Sequence, residues 1–148
     1  MRKLLPSTTY SVGEAFTKTF EFNAQNVKQF AALAGDYSPL HHDEEFARNS
    51  RFGGLVVSGT HYSALMMGMV GSYLTKRGSS LGLEFNFQFR RAVLANDQVT
   101  ADWVIKKVEP APKLGGDLIT LHGELRNSTG ELCVMADSKS LILPSESI

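Results

Sequence analysis

The sequence predicts an α+β domain in which an antiparallel sheet wraps one long central helix. Three observations predict it. Ser58–Lys76 is the longest helical stretch, and its middle, Ala64–Val70, is apolar on nearly every side, as in a helix buried all round. Leu83–Phe89 alternates, with Leu83, Phe85, Phe87 and Phe89 on one face and Glu84, Asn86 and Gln88 on the other. Three more strand-like runs follow, separated by turn residues. Strands that cover one apolar helix make a two-layer domain.

Taken in order, Tyr10–Phe22 holds a first strand, since Phe16, Phe20 and Phe22 share a parity. Asn23 reads as a helix N-cap, with Phe22 and Val27 placed as a hydrophobic staple around it. Val27, Phe30, Ala31 and Ala34 recur at helical spacing, so Asn23–Ala34 is a short amphipathic helix and Gly35 ends it. Asp43 caps a second short helix that carries acids in its first turn. Ser58 reads as the cap of the long helix, and its hydroxyl is expected to contribute about 1 kcal/mol in that role. Gly78 stops that helix after Lys76 and Arg77. Ala64, Gly68 and Gly71 form a small-residue stripe, expected to pack the helix backbone closely against a sheet. Gln98–Val108, Leu118–Arg126 and Glu131–Leu143 complete a meander of four long strands. Its loops are Asn96-Asp97, Pro110–Asp117 and Asn127–Gly130.

The chemistry concentrates in Ala34–His42. A carboxylate, Asp36, and an imidazole, His41, stand five positions apart with Pro39 between them. Proline removes a backbone donor and pushes Ser38 out of the α region. The two side chains therefore lie on either side of a turn that can aim both into one cleft. A carboxylate beside an imidazole is equipment for moving protons near neutral pH. The same pair also fits a turn-capping Asp beside an ordinary loop His. What weighs against that plain reading is Val56-Val57-Ser58-Gly59-Thr60, which opens the apolar helix.

The chain has 148 residues, 43% of them apolar, which is one domain with room for a full core. Fifteen basic residues balance fifteen acidic ones. Without a basic stripe, nucleic acid is not an expected partner, and nothing supports a membrane role. The single cysteine, Cys133, fits a reducing cytoplasm and reads as a small core residue. Met1–Pro6 starts basic but leads into no apolar run of signal-peptide length. His41 and His42 are adjacent, yet no further ligands stand at metal-site spacing, so no metal or other cofactor is expected. His61, in the first turn of the long helix, reads as a polar wall or packing residue. His122 reads as a strand residue facing solvent or a polar neighbour.

Asp36-Tyr37-Ser38-Pro39-Leu40-His41 resembles the Asp-x-Asn-Pro-x-His motif of the MaoC-like, R-specific enoyl-CoA hydratases. Val57-Ser58-Gly59 resembles the Val-His-Gly that begins their central helix. Ala92-Val93 and Asn96-Asp97 resemble their Pro-Val…Gly-Asp strand pair. The likeness runs from about Phe16 to Leu143. Ser38 stands where Asn is usual and Ser58 where His is usual, and a serine that some members carry falls at Met67. The resemblance implies a single hot-dog domain over residues 1–148. It implies an enzyme that adds water to a trans-2-enoyl thioester of coenzyme A or acyl carrier protein, giving the R-3-hydroxyacyl thioester, and that runs the reverse. Asp36 would act as general base, His41 would orient the water and relay a proton, and the Gly59 N–H would receive the thioester oxygen. Ser38, Ser58, Thr60 and His61 would line the substrate site. A homodimer, with the pocket between subunits, is implied as well. A hot-dog thioesterase is the chief alternative. It would place an acid on the long helix, and Gly59–Lys76 has none. A non-catalytic acyl-thioester binding subunit is the other.

Overall fold

A computed structural model describes residues 9–144, so the basic start Met1–Pro6 lies outside the described residues. The elements run β1 (Ala15–Glu21), α1 (Ala24–Leu33), α2 (Pro39–His42), α3 (Glu44–Arg48), α4 (Gly59–Leu74), β2 (Ser79–Phe89), β3 (Gln98–Ala111), β4 (Gly116–Arg126) and β5 (Leu132–Leu143). All strand pairs are antiparallel, in the order β1-β3-β4-β5-β2.

That order corrects the four-strand meander. β3, β4 and β5 do form consecutive hairpins, but β2 lies on β5 at the far edge, with a bulge between Gly82 and Glu84. A helix precedes β2 and an irregular segment follows it, so no tight turn ties it to β3. The Pro110–Asp117 loop is also shorter than expected. β3 runs on to Ala111 and β4 starts at Gly116, leaving a 3₁₀ turn at Pro112–Leu114.

The core lies between the sheet and α4. Val99, Ala101, Trp103 and Ile105 of β3 alternate inward, as do Ile119, Leu121 and Leu125 of β4. Trp103 ties the two layers together. It is 1% exposed, and its indole Nε1 donates to the Met66 carbonyl of α4 at 3.1 Å. Gly123 stands opposite it on β4, and a Cβ there would meet the indole carbons at 2.7 Å. Glycine is what lets the ring lie on the neighbouring strand. Cys133 is buried core, and that burial pushes its thiol pKa up.

α4 is not buried all round. His61, Tyr62, Met66, Met69, Val70 and Leu74 face the core, while Ala64, Met67 and Gly68 are exposed. A Cβ added at Gly68 or Gly71 would meet nothing within 4 Å. The small-residue stripe therefore faces away from the sheet. Phe85 and Phe87 are half-buried, but Leu83 and Phe89 are more than half exposed, so the aromatic stripe of β2 is only partly core. Five strands cover one side of the helix and leave the other open. With this architecture the chain has the hot-dog fold expected from its sequence. No helix among the described residues is long and apolar enough to cross a membrane.

His61 packs inside this shell. Its ring stacks on Phe30 at 4.2 Å and meets Phe22 edge-on at 5.0 Å. Its Nδ1 is buried without a hydrogen-bond partner among the described residues. Burial lowers its pKa from the ordinary 6.5. Below 6.5 the unfolded chain takes up a proton that the folded chain resists, so stability falls as pH drops toward the lowered value. Denaturant unfolding of wild type and His61→Leu between pH 5 and 8 checks this. The variant is expected to lose the part of the pH slope that His61 contributes.

Candidate active site

The site is assembled by the end of one helix and the approach to another. Asn23 caps α1 through a reciprocal box: its side chain accepts from the Asn26 N–H at 2.8 Å, and its own N–H donates to Asn26 Oδ1 at 3.0 Å. At the other end Gly35 has φ +76°, which a side-chain-bearing residue adopts only at a cost. The Gly35 N–H donates to Ala32 O at 3.0 Å and the Asp36 N–H to Ala31 O at 2.8 Å. These two bonds make a Schellman ending and fix the backbone of Asp36 against α1. Ser38 is extended, at φ −56° and ψ 130°, as the following proline requires. Pro39 then opens α2, a single helical turn that carries His41 and His42.

That turn delivers the expected pair. His41 Nε2 lies 3.3 Å from Asp36 Oδ2, with the imidazole side chain 13% exposed and the carboxylate 37%. The other ring nitrogen, Nδ1, lies 2.7 Å from the Val56 carbonyl oxygen. A carbonyl can only accept, so Nδ1 carries the hydrogen and Nε2 is the nitrogen turned to the carboxylate. That contact is attractive when a proton lies between Nε2 and Oδ2. The anchor is itself held: the Val56 N–H donates to Leu40 O at 2.9 Å, the Val57 N–H to Val93 O at 2.8 Å, and Val56 forms a β-bridge with Leu94.

Around Asp36 the donors favour the ionised form. The Ser38 N–H donates to Oδ1 at 3.2 Å, and Ser58 Oγ lies 3.3 Å from Oδ2. The Ser38 bond is the largest influence, and the charges of His41 and His42 add to it. Together they outweigh desolvation and hold the carboxyl below its usual range. Ser58 occupies the N-cap position of α4, but its hydroxyl makes no capping bond. It points instead to Asp36 and to Thr60 Oγ1, 2.6 Å away. The capping role expected of Ser58 is thus not found, and its hydroxyl donates to the carboxylate instead, a charge-assisted bond.

The site residues divide as follows. Asp36, His41, Ser38, Ser58 and Thr60 form one connected network. Gly59 follows Ser58 directly and is the first residue of α4, where its N–H has no intrahelical acceptor. A Cβ on Gly59 would sit 3.2 Å from Phe89 Cε1, so the exposed ring of Phe89 lies close over the helix tip. His61 is not joined to the network and sits in its aromatic slot. Two participants had no signal in the sequence. One is the Val56 carbonyl, a backbone atom fifteen positions from His41. The other is His42, whose Nε2 lies 2.7 Å from the Asp36 carbonyl oxygen and whose ring stacks against Tyr37. No group of three or more His, Cys, Asp or Glu among the described residues is arranged to hold a metal.

Comparisons with known proteins agree with this fold. The family model described as "MaoC like domain" matches residues 8–114. The (R)-specific enoyl-CoA hydratase of Aeromonas caviae is 31% identical over 133 residues, which are 88% of this chain and 98% of that protein. A UPF0336 protein of Streptomyces griseus subsp. griseus is 26% identical over 138 residues, 88% of this chain and 89% of the relative. Among solved structures, an (R)-hydratase from A. caviae superposes with a TM-score of 0.80 at 28% identity, covering 92% of this chain and 98% of that one. A family match across most of the chain, on a fold that brings the motif's acid and imidazole together, leads to one conclusion: the chain belongs to the MaoC-like domain family, whose relatives include hydratases.

Proposed function

We propose that this chain is an R-specific hydro-lyase that adds water to trans-2-enoyl thioesters and removes it from the 3-hydroxyacyl products. The observation that carries the reading is the 3.3 Å contact between Asp36 Oδ2 and His41 Nε2, with the ring orientation set by Val56. Asp36 takes one proton from water. The oxygen forms a bond to the β-carbon as the alkene electrons move toward the thioester carbonyl. The Gly59 N–H stabilises the resulting enolate oxygen. His41 gives its Nε2 proton to the α-carbon, and the proton on Asp36 passes back to Nε2 across the 3.3 Å contact. Both groups act from one side, so addition is syn. No residue of α4 is acidic, which speaks against a hot-dog thioesterase.

The catalytic unit in this reading is a homodimer of single hot-dog domains in the cytoplasm. β2 ends the sheet with Leu81, Leu83 and Phe89 exposed, and α4 leaves Met67 uncovered beside it. Between them runs a groove of about 690 Å³, with Met67, Val70, Gly71, Phe85 and Phe87 in its walls, suited to a hydrocarbon tail. A second copy laid along β2 would close it. The test is hydration of crotonyl-CoA and longer trans-2-enoyl-CoAs. It is followed by loss of enoyl absorbance, by chiral analysis of the product and by light scattering of the active species. Formation of the S product, or thiol release without hydration, would overturn the proposal.

A further inference from the structure

We propose that a three-arginine groove beside the active site binds the phosphate end of the phosphopantetheine arm that carries the thioester. This rests on the hydratase reading and deepens it. The walls of a groove of about 510 Å³ include Arg51, Arg90 and Arg91, together with Asp97 and Glu131. The chain as a whole has no net charge, so three guanidiniums on one groove are a local concentration and not a reflection of composition.

The two acids are already engaged. Glu131 is bound by Arg91 at 2.8 Å, by Asn127 at 3.1 Å and by Thr129 at 3.0 Å. Asp97 accepts from the Gln98 N–H at 2.8 Å. Among the described residues neither Arg51 nor Arg90 has an ion-pair partner. Arg51 lies over the Phe52 ring at 5.3 Å, and Arg90 reaches the Gln88 amide oxygen at 2.8 Å. Two planar guanidiniums without a carboxylate partner in one concavity match the oxygens of a phosphate, which such groups can bind in bidentate fashion.

The groove is tied to the reacting atoms by backbone. Phe89, over the tip of α4, is followed directly by Arg90 and Arg91, whose N–H groups both donate to Cys133 O, at 2.8 and 3.2 Å. Leu94, in the groove wall, is the bridge partner of Val56, whose carbonyl holds His41. Arg90 and Arg91 therefore begin one residue beyond the ring that lies over the Gly59 tip. Coenzyme A and acyl carrier protein both present a phosphate at the end of the same arm.

The test compares kcat/KM for crotonyl-CoA, crotonyl-acyl carrier protein and crotonyl-pantetheine, which lacks the phosphate. It uses wild type, Arg51→Gln, Arg90→Gln and the double variant. The preference for a phosphate-bearing thioester over crotonyl-pantetheine is expected to fall at least tenfold in the double variant, mainly through KM. Taking this ratio cancels any effect on the chemical step. A fall with crotonyl-CoA assigns the groove to the coenzyme, and a fall with the carrier protein alone assigns it to that protein's prosthetic arm. An unchanged ratio for both overturns the proposal. Calorimetric titration with free coenzyme A keeps the two readings apart. A protein that hydrates none of the thioesters, yet binds coenzyme A in an Arg51-dependent way, would sink the hydratase reading and keep the groove. One that neither hydrates nor binds would sink both.

Discussion

Replacing Asp36 by Asn is expected to lower turnover on a trans-2-enoyl thioester by about 10²- to 10⁴-fold, the usual worth of a positioned general base. The amide is nearly the same shape. Its oxygen can still accept from the Ser38 N–H, and its NH₂ can donate to His41 Nε2, so the loop keeps its form. What disappears is the carboxylate that the proposed mechanism uses to take a proton from water and pass it to His41. The expected signature is a collapse in kcat with the melting temperature little changed. The pH profile gives a second reading. The Ser38 N–H, the neighbouring imidazoles and the Ser58 hydroxyl all favour the carboxylate. In the proposed mechanism the base works in its ionised form, so the acid limb of wild-type kcat/KM is expected below the ordinary Asp range, with activity lost only as pH falls through that lowered value. A variant retaining full turnover would remove Asp36 from the chemistry.

Trp103→Ala is expected to destabilise the fold by about 3–5 kcal/mol, which lowers the melting temperature by on the order of 10 °C. The indole is buried against α4 and meets Phe85 edge-on at 6.4 Å. The sheet cannot collapse onto the space left behind, because Gly123 offers no side chain to fill it. A domain of this size has roughly 5–15 kcal/mol of net stability, so the change consumes a large share of it. Trp103→Phe separates packing from hydrogen bonding. It keeps most of the apolar volume and loses the bond to Met66 O, which is worth about 1 kcal/mol. Urea unfolding of the three proteins measures both. A loss under 1 kcal/mol for the alanine variant would show that α4 and the sheet are held together elsewhere.

Much of the site could be read from local chemistry. Asn23 and Gly35 carry intrinsic signals for the two ends of α1, and with the end at Gly35 fixed, Asp36 falls where the chain leaves the helix. Pro39 set the conformation of Ser38. Features that depend on distant partners had no such signal. A hydroxyl at an N-cap position has two kinds of acceptor or donor open to it, and only the fold brings Asp36 to Ser58. The anchoring of His41 uses a main-chain oxygen, which every residue possesses. Periodicity identified α4 as apolar, but a helix apolar on all sides has no face that marks where the sheet lies. The same reasoning accounts for β2. Its alternation is clean, yet pairing with β5 rather than β3 is decided by the path of the whole chain.

The β-bridge between Val56 and Leu94 reaches further than its single rung suggests. It joins the imidazole's anchor to the start of α4 and to the segment that leads into β3, while the Schellman ending clamps the acid to α1. Acid, ring and helix tip thus travel as one rigid block. Changes along Met67, Phe85 or Phe87 can reshape whatever occupies the open side of α4 without altering the spacing of that block. In such a scaffold, under the proposed function, the size of the tail accepted and the reaction performed on it are free to diversify independently.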